Sequence, residues 1–213
     1  MRLKSDNFEH GKPIPADNAF MEIGEPAKLA ANKTPHLVWT EVPTTTKSFA
    51  IAVIDTDVPS KPDDVNVEGR EVRYDLPRVE FVHWLMANIP LECRELGEGA
   101  CGEGIVPRGK GNGKLKDDLT GPGNAVQGLN DYTGWFKGDK DMDGHYHGYD
   151  GPCPPWNDTR IHHYHFHVYA LDVEHVALEN GFTLAELRDV IKGHVVDEAV
   201  LTGTYTLNPK ARA

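Results

Sequence analysis

The apolar run from Ser48 to Asp55 constrains the possible folds more than any other part of the sequence. Its residues, SFAIAVID, are apolar at successive positions and include the β-branched residues Ile51, Val53 and Ile54. A strand with one face in water alternates apolar and polar residues, whereas a strand covered on both faces is apolar throughout. The run therefore predicts a central β-strand that is buried on both sides.

Four further strands are predicted along the chain, at 36–39, 79–89, 161–171 and 200–207. The second of these has a period of two, which places alternate side chains on opposite faces. One face is expected to carry Phe81, His83, Leu85 and Ala87, and the other Val82, Trp84 and Met86. Glycine and proline separate these patterns, as is usual for the turns and loops between strands.

One helix is predicted clearly, and it lies near the C-terminus. Thr183 and Glu186 have the spacing of a capping box, and Gly193 is placed to end the helix. Apolar residues recur at helical spacing between these points: Leu184, Leu187, Val190 and Ile191. Residues 173–178 are predicted to add a turn or a short helix. The whole pattern favours a mostly β fold, an antiparallel β-sandwich with a few short helices near the C-terminus.

The length of 213 residues suits a single domain spanning 1–213. A long loop rich in glycine and aspartate, at about 97–148, interrupts the strand patterns. Loops of this length are usually lids, interaction surfaces or disordered segments. Aromatic residues in its second half predict that this part packs on the body of the protein: Tyr132, Trp135, Phe136 and Tyr146.

The composition excludes several classes of protein. A net charge of -11 argues against nucleic acid as a partner, although one pocket can still hold a small anion. There is no apolar window of about 18 residues, so no membrane span is predicted. No apolar run follows Arg2, so we expect no secretory signal and a cytoplasmic protein. The three cysteines are sparse and odd in number, which favours reduced thiols.

Polar side chains lie at the ends of the predicted strands. Asp55 and Asp57 leave the buried strand just before Pro59, and His83 lies among apolar neighbours. His162 and Tyr164 share one face of a later strand. Taken singly, each has an ordinary structural explanation, as a turn former or as a hydrogen-bonded core residue.

Taken together, these segments resemble the phosphatidylethanolamine-binding protein family, in its bacterial, Raf kinase inhibitor-like branch. The first conserved block of the family is similar to TPHLVW at 34–39, KSFAIAVIDTDVP at 47–59, FVHW at 81–84 and NIP at 88–90. The second block is similar to YDGPCPP at 149–155, HHYHF at 162–166 and YALD at 169–172. The segments at 128–132 and 193–205 also resemble this branch, so the resemblance covers most of the chain.

This resemblance implies a β-sandwich with a small anion pocket at one end. The ligands expected there are phosphate-like anions, including phospholipid headgroups, and no cofactor or catalysis is implied. Carried over by position, the lining residues are Asp55, Asp57, Pro59, His83, Cys153, Pro154, Pro155, His162 and Tyr164. The resemblance also makes a homodimer plausible, whereas the protein partner stays unknown because no kinase-docking element is visible.

Two departures from the family pattern affect the expected pocket. The usual Asp-Pro-Asp-Ala-Pro run is Asp-Thr-Asp-Val-Pro here, and His163 replaces the arginine of the usual His-Arg-Tyr run. An aspartate beside an imidazole favours the imidazolium, which can donate to an oxyanion. We therefore expect His83 and His162 to form a pair of donors to the anion, with affinity falling as the pH rises past neutral.

Three other classes of function stay open on the sequence. The first is a structural or regulatory interaction module that works through the long loop at about 97–148. A hydrolase could use the aspartates and histidines with Cys153 as nucleophile. A metal-binding protein could use the alternating histidines of one strand face, with two more nearby in sequence: His163, His165, His167, His145 and His147. The segment 139–144, with Asp150 at the twelfth position, also resembles part of a calcium loop.

Overall fold

The structure, a computed structural model, describes residues 1–110 and 125–211 and is mostly β. Its strands, in chain order, are β1 (Arg2–Lys4), β2 (Lys12–Pro13), β3 (Met21–Glu22), β4 (Lys28–Leu29), β5 (Leu37–Thr40), β6 (Ser48–Pro59), β7 (Arg78–Pro90), β8 (Glu95–Leu96), β9 (Val126–Gln127), β10 (His162–Leu171) and β11 (Val195–Tyr205). They form a six-stranded sheet ordered β2-β11-β10-β6-β7-β9, a three-stranded sheet ordered β1-β5-β8, and the pair β3-β4. All pairs are antiparallel except β2 with β11.

The six-stranded sheet is covered on both faces. On one face Trp84 and Phe166 pack with Leu37 and Trp39 of the three-stranded sheet, which forms the sandwich. The opposite face packs against a helix that contributes Leu187. The predicted β-sandwich fold is therefore confirmed.

β6 lies inside the large sheet, between β10 and β7. Every residue from Ser48 to Asp55 is at most 2% exposed. Phe49, Ile51 and Val53 belong to the sandwich core, and the alternate residues face the helix. The prediction of a central strand buried on both sides is confirmed.

A β-bulge at His83 changes the predicted faces of β7. Val53 pairs with Trp84 and Ile54 pairs with Val82, so His83 has no partner in β6. An extra residue of this kind shifts the alternation of faces. Val82 therefore packs on the helix side with Leu85, and the prediction that it shares a face with Trp84 and Met86 is wrong.

Helices are few and short. The predicted helix is α2 (Leu184–Ile191), and the capping box of Thr183 and Glu186 is present at its start. A single turn, α1 (Tyr132–Trp135), and a 3₁₀ turn at Ala16–Asn18 lie earlier in the chain. Residues 173–178 form bends without a helix. No helix among residues 1–110 and 125–211 has the length and apolar character needed to cross a membrane.

The long loop packs on the sheet in the part that follows residue 124. Tyr132 and Tyr146 are buried, and Phe136 packs with them against Phe20. Trp135 instead stays about half exposed, at 53%. Residues 111–124 of this loop lie outside the described residues.

Candidate functional site

A cavity of about 430 Å³ lies where one end of β6 meets the neighbouring ends of β7 and β10. Because β6 runs antiparallel to both neighbours, its C-terminal half lies beside the starts of β7 and β10. This arrangement brings Asp55, His83 and His162 into one wall. A cavity of this size is in the range of small-molecule sites.

A charge chain of four buried side chains, Asp55, His162, Asp158 and Arg78, begins in the wall of the cavity, which Asp55 and His162 line. His162 is fully buried, and its Nδ1 donates to Asp55 Oδ2 at 2.6 Å. Its Nε2 donates to Asp158 Oδ2 at 3.0 Å, and Arg78 binds both oxygens of Asp158. Two carboxylates and two cations thus alternate within hydrogen-bond distance, which is how buried charges are compensated.

The charges of this group are set by its geometry. Burial lowers the pKa of His162, but the charge of Asp55 and the hydrogen bonds with Asp158 and Asp55 outweigh it and raise the pKa to about 9. Burial raises the pKa of Asp55 and of Asp158, but contact with His162 leaves both below their usual value. The imidazolium and both carboxylates are therefore the charged forms at neutral pH.

His162 has no N–H left for a ligand, because both of its ring nitrogens bind carboxylates. Its charge also persists well above neutral pH. The expectation that His162 belongs to a pair of donors lost near neutral pH is therefore corrected: in this structure it holds Asp55 and Asp158 in place.

His83 is in the opposite protonation state to His162. Its Nδ1 donates to the backbone carbonyl of Asp150 at 2.7 Å, and its backbone carbonyl accepts from the N–H of Asp150. Burial lowers its pKa more than the charge of Asp55 raises it. The ring is therefore neutral at pH 7, with the proton on Nδ1 and the lone pair of Nε2 available at the cavity. The expectation that His83 donates to an anion is therefore corrected as well.

Tyr164 has a hydroxyl without a hydrogen-bond partner among the described residues, although the side chain is only 1% exposed. Burial, with the neighbouring charge of Asp55, raises the pKa of Tyr164 well above its usual value. The hydroxyl thus keeps its proton. Buried polar groups are normally paired, so this hydroxyl, which lies near Asp55, is free to bond a water or a ligand at the cavity wall.

The rest of the cavity is apolar and aromatic. Phe20 and Tyr132 stack with ring centroids 4.8 Å apart, and Phe81 meets Tyr132 edge to face. Leu29 and Trp135 line the mouth and are 64% and 53% exposed. The cavity therefore joins a buried polar end to an open aromatic mouth.

Eight of the nine residues predicted for the pocket line this cavity: Asp55, Pro59, His83, Cys153, Pro154, Pro155, His162 and Tyr164. Asp57 is not among the lining residues. It accepts from Arg160 NH1 at 3.0 Å and from Nδ1 of His163 at 2.8 Å. Asp57 therefore stabilises the adjoining loop and the outer face of β10.

Several contributing residues were missed in the sequence. Asp158 and Arg78 complete the charge chain, and Asp150 orients His83. The side chain of Asp150 is itself bound by Asn32, Asn130 and Lys110. Asp150 belongs to the YDGPCPP segment, so the motif was a usable signal, whereas Asp158 and Arg78 carry no recognisable pattern.

Cys153 lines the cavity, but the environment of its thiol differs from that of a catalytic nucleophile. Burial raises the pKa of Cys153 to about 12. A nucleophilic cysteine needs a lowered pKa or an adjacent base. Within the described part of the chain, no histidine is hydrogen-bonded to this thiol.

The histidines on the outer face of β10 have separate partners. His163 binds Asp57, His165 binds Thr202, and His167 binds Glu198. Among residues 1–110 and 125–211, no group of three or more histidine, cysteine or acidic side chains is arranged to hold a metal ion.

The segment that resembles a calcium loop uses its carboxylates locally. Asp139 accepts from the backbone of Asp141 and Met142, and Asp143 accepts from the backbone of Gly138. Asp150, at the twelfth position, is buried and bound to Lys110. These carboxylates therefore do not converge on one point, and the calcium-loop interpretation is not supported.

The fold and the cavity define a class: β-sandwich proteins with a buried aspartate–histidine site at the end of the large sheet. The family model described as phosphatidylethanolamine-binding protein matches residues 4–206. The chain therefore belongs to the phosphatidylethanolamine-binding protein family, which confirms the resemblance found in the motifs.

Relatives of similar length support this membership. The chain is 32% identical to a UPF0098 protein of Methanothermobacter thermautotrophicus, over 96% of this chain and 98% of that protein. It is 26% identical to the UPF0098 protein YbhB of Escherichia coli, over 97% and 100% of the two chains.

Solved structures agree with the fold. The crystal structure of Escherichia coli YbcL, described as a new member of the mammalian PEBP family, matches with a TM-score of 0.66 and 26% identity, over 96% of this chain and 97% of that one. A putative phosphatidylethanolamine-binding protein homologue from Chlamydia trachomatis matches with a TM-score of 0.63 and 29% identity, over 96% and 95%.

Proposed function

We propose that this protein binds a small phosphate-like anion or a phospholipid headgroup in the cavity, without catalysing a reaction. The observation that carries the proposal is the buried hydroxyl of Tyr164 in the cavity wall beside His83 and Asp55, which forms no well-aligned hydrogen bond with any of the described residues. A buried donor without a partner costs free energy, and a ligand oxygen would supply that partner.

The charges of the cavity wall are compatible with an anion. Asp55 and Asp158 are balanced by His162 and Arg78, so the buried group has no net charge. The aspartates alone would repel an anion, but each is already paired with a cation. A single pocket can therefore accept negative charge although the whole chain carries -11.

The size of the cavity favours a ligand larger than a bare anion. Its volume of about 430 Å³ leaves room beyond the polar end, beside Phe20, Phe81 and Tyr132. Aromatic rings accept apolar groups and also cations such as an ammonium group. A headgroup with a phosphate and an organic substituent fits this arrangement. The family description, phosphatidylethanolamine-binding protein, agrees with that ligand class.

Binding is favoured over hydrolysis because the cavity lacks an activated nucleophile among its described residues. The thiol of Cys153 has a pKa of about 12, and the pKa of Tyr164 is well above its usual value. His162, which could act as a general base, is held as an imidazolium between two carboxylates. Neither hydroxyl nor thiol has the lowered pKa that covalent catalysis needs at neutral pH. The neutral ring of His83 could accept a proton, but no thiol or hydroxyl among the described residues is hydrogen-bonded to it.

The test is calorimetric titration with phosphate and phosphoethanolamine near pH 6. Tyr164→Phe removes only a hydroxyl that forms no well-aligned hydrogen bond with residues 1–110 and 125–211. We expect the affinity of this variant to fall roughly 10- to 100-fold, because a hydrogen bond to an anion is lost. We expect its free energy of unfolding to stay unchanged.

Tyr149→Phe is the matched control. Tyr149 is equally buried, but its hydroxyl donates to the carbonyl of Asn18 at 2.7 Å and is not at the cavity. This variant should lose about 1 kcal/mol of stability and keep its affinity. The same affinity for Tyr164→Phe and the wild type, or no binding by the wild type, would contradict the proposal.

A further inference from the structure

The mouth of the cavity carries apolar side chains that the fold leaves uncovered. Leu29 on β4 and Trp135 on α1 line the mouth, and each is more than half exposed. Ile23, in the connection between β3 and β4, is exposed to a similar degree. Exposed apolar side chains that cluster beside a binding site commonly mark a surface that contacts another molecule or a membrane.

Trp135 is held in its exposed position by its neighbours in α1. The rings of Tyr132 and Phe136 pack with each other and against Phe20, which fixes this turn on the body of the protein. Trp84, by contrast, is fully buried in the sandwich core. The turn therefore presents Trp135 to the outside at a fixed place beside the cavity.

Leu29 is presented by the hairpin of β3 and β4. It pairs with Met21 across the hairpin, and the hydroxyl of Tyr205 donates to the backbone carbonyl of Met21 at 2.8 Å. The side chain of Met21 packs against the sandwich core, whereas those of Leu29 and Ile23 stay exposed. Apolar side chains left in water gain free energy when another apolar phase covers them.

The described lining of the cavity is charged only at its inner end. Asp55 and His162 lie there, and the charge chain to which they belong has no net charge. In the described part of the chain, no lysine or arginine lines the mouth. Attraction to anionic lipids depends on such residues, and the net charge of -11 opposes it. A zwitterionic lipid surface, which has no net charge, is therefore the best match.

The cavity has room for a headgroup but not for the chains of a whole phospholipid. Its volume of about 430 Å³ is that of a small-molecule site. With the phosphate beside Tyr164 and His83, the glycerol and acyl chains would leave the cavity between Leu29 and Trp135. Those chains can stay in a bilayer only if the mouth of the cavity lies against it.

We infer that Ile23, Leu29 and Trp135 form an apolar rim by which the protein docks on a zwitterionic bilayer and takes up the headgroup of a lipid that remains in that bilayer. The inference rests on the proposed function and adds the source of the headgroup and the surface that reaches it. Tryptophan suits this place, because its ring is apolar while its N–H finds partners at the level of the headgroups.

The experiment is sedimentation of the protein with vesicles of phosphatidylcholine and phosphatidylethanolamine. We expect saturable binding by the wild type, and Leu29→Ser combined with Trp135→Ser should weaken it roughly 10- to 100-fold. Val196→Ser combined with Val200→Ser is the matched control, because both valines are exposed on β11, and it should bind as the wild type does. Replacing phosphatidylcholine with anionic phosphatidylserine should not strengthen the binding.

The outcomes separate the inference from the proposed function. Wild-type protein that binds soluble phosphoethanolamine but not these vesicles would overturn the inference and leave the proposed function standing. No binding of phosphoethanolamine would contradict both. Vesicle binding that is unchanged in the Leu29 and Trp135 variant would also overturn the inference. If that variant is then a monomer where the wild type is a dimer, the rim is covered by a second copy of the chain instead.

Tryptophan fluorescence gives a second measurement of the docked surface. Trp39 and Trp84 are fully buried, so a quencher in the lipid reaches only the exposed tryptophans. We expect vesicles with brominated acyl chains to quench the wild-type protein, and Trp135→Phe to remove most of this quenching. Vesicle binding without quenching, or quenching that is undiminished in a folded Trp135→Phe protein, would count against the apolar rim as the docking surface.

Discussion

Two histidines of the same cavity are held in opposite states by their neighbours. His162 donates from both nitrogens to carboxylates, which raises its pKa to about 9. His83 donates from one nitrogen to a neutral carbonyl, and burial lowers its pKa. The same side chain is therefore a fixed cation in one wall and an acceptor in the other.

The first prediction concerns the protonation of these two rings in the free protein. Imidazole nitrogen shifts measured by NMR across the pH range should show His162 doubly protonated until about pH 9. His83 should be neutral at pH 7, with the proton on Nδ1, and should charge only below its ordinary value of about 6.5. A titration of His162 near 6.5, or a proton on Nε2 of His83, would contradict the assigned states.

At the scale of strands and helices, the sequence predicts the features that depend on residues close together along the chain. Burial of β6 follows from a continuous apolar run, and the start of α2 follows from the spacing of Thr183 and Glu186. Alternation along β10 correctly places His162 and Tyr164 on the buried face. These features could be predicted because the residues that indicate them lie within a few positions of one another in the sequence.

The bulge in β7 could not be predicted in this way, because it depends on distant parts of the chain. The backbone of Val82 is bound by Asp131, and that of His83 by Asp150. These partners are 49 and 67 positions away. The faces predicted for Trp84 to Ala87, after the bulge, were therefore correct, whereas Val82, before the bulge, was placed on the wrong face. The bulge directs the His83 side chain to the cavity, a known use of bulges near functional sites.

The same limit applies to the charge chain. Asp55 and His162 were predicted from strand ends and from the family motif, whereas Arg78 and Asp158 lie 80 positions apart and meet only in the folded chain. The positions of the polar residues were largely predictable, but their hydrogen bonds were not. The mechanism expected for His162 was wrong for this reason.

At the scale of the whole molecule, the charge chain links stability to pH. Folding lowers the pKa values of Asp55 and Asp158. Their contribution to the free energy of unfolding is therefore present above about pH 4, near their pKa in the unfolded chain, and is lost as the pH falls. The pKa of His162 is raised to about 9, so its contribution is complete below about 6.5 and is lost as the pH rises through 9. The charge chain is therefore most stabilising between these limits.

The second prediction follows for the alkaline side. Between pH 7 and 8 the folded protein keeps a proton on His162 that the unfolded chain releases, so the free energy of unfolding should fall by about 1 kcal/mol. Denaturant unfolding at the two pH values measures this change. His162→Gln should lack the decline, and a wild-type stability that is flat or rises from pH 7 to 8 would contradict the account.

A homodimer and a cytoplasmic location stay predictions.

The central claim is that a phosphate-like anion binds at the end of the cavity formed by His83 and Tyr164. The most direct test is to follow the histidine ring signals by NMR while phosphate is added near pH 6. We predict a saturable shift of the His83 Nε2 signal, with the outer-face histidines His163, His165 and His167 unchanged. Saturable binding that leaves His83 unchanged and shifts the outer-face histidines would contradict the account.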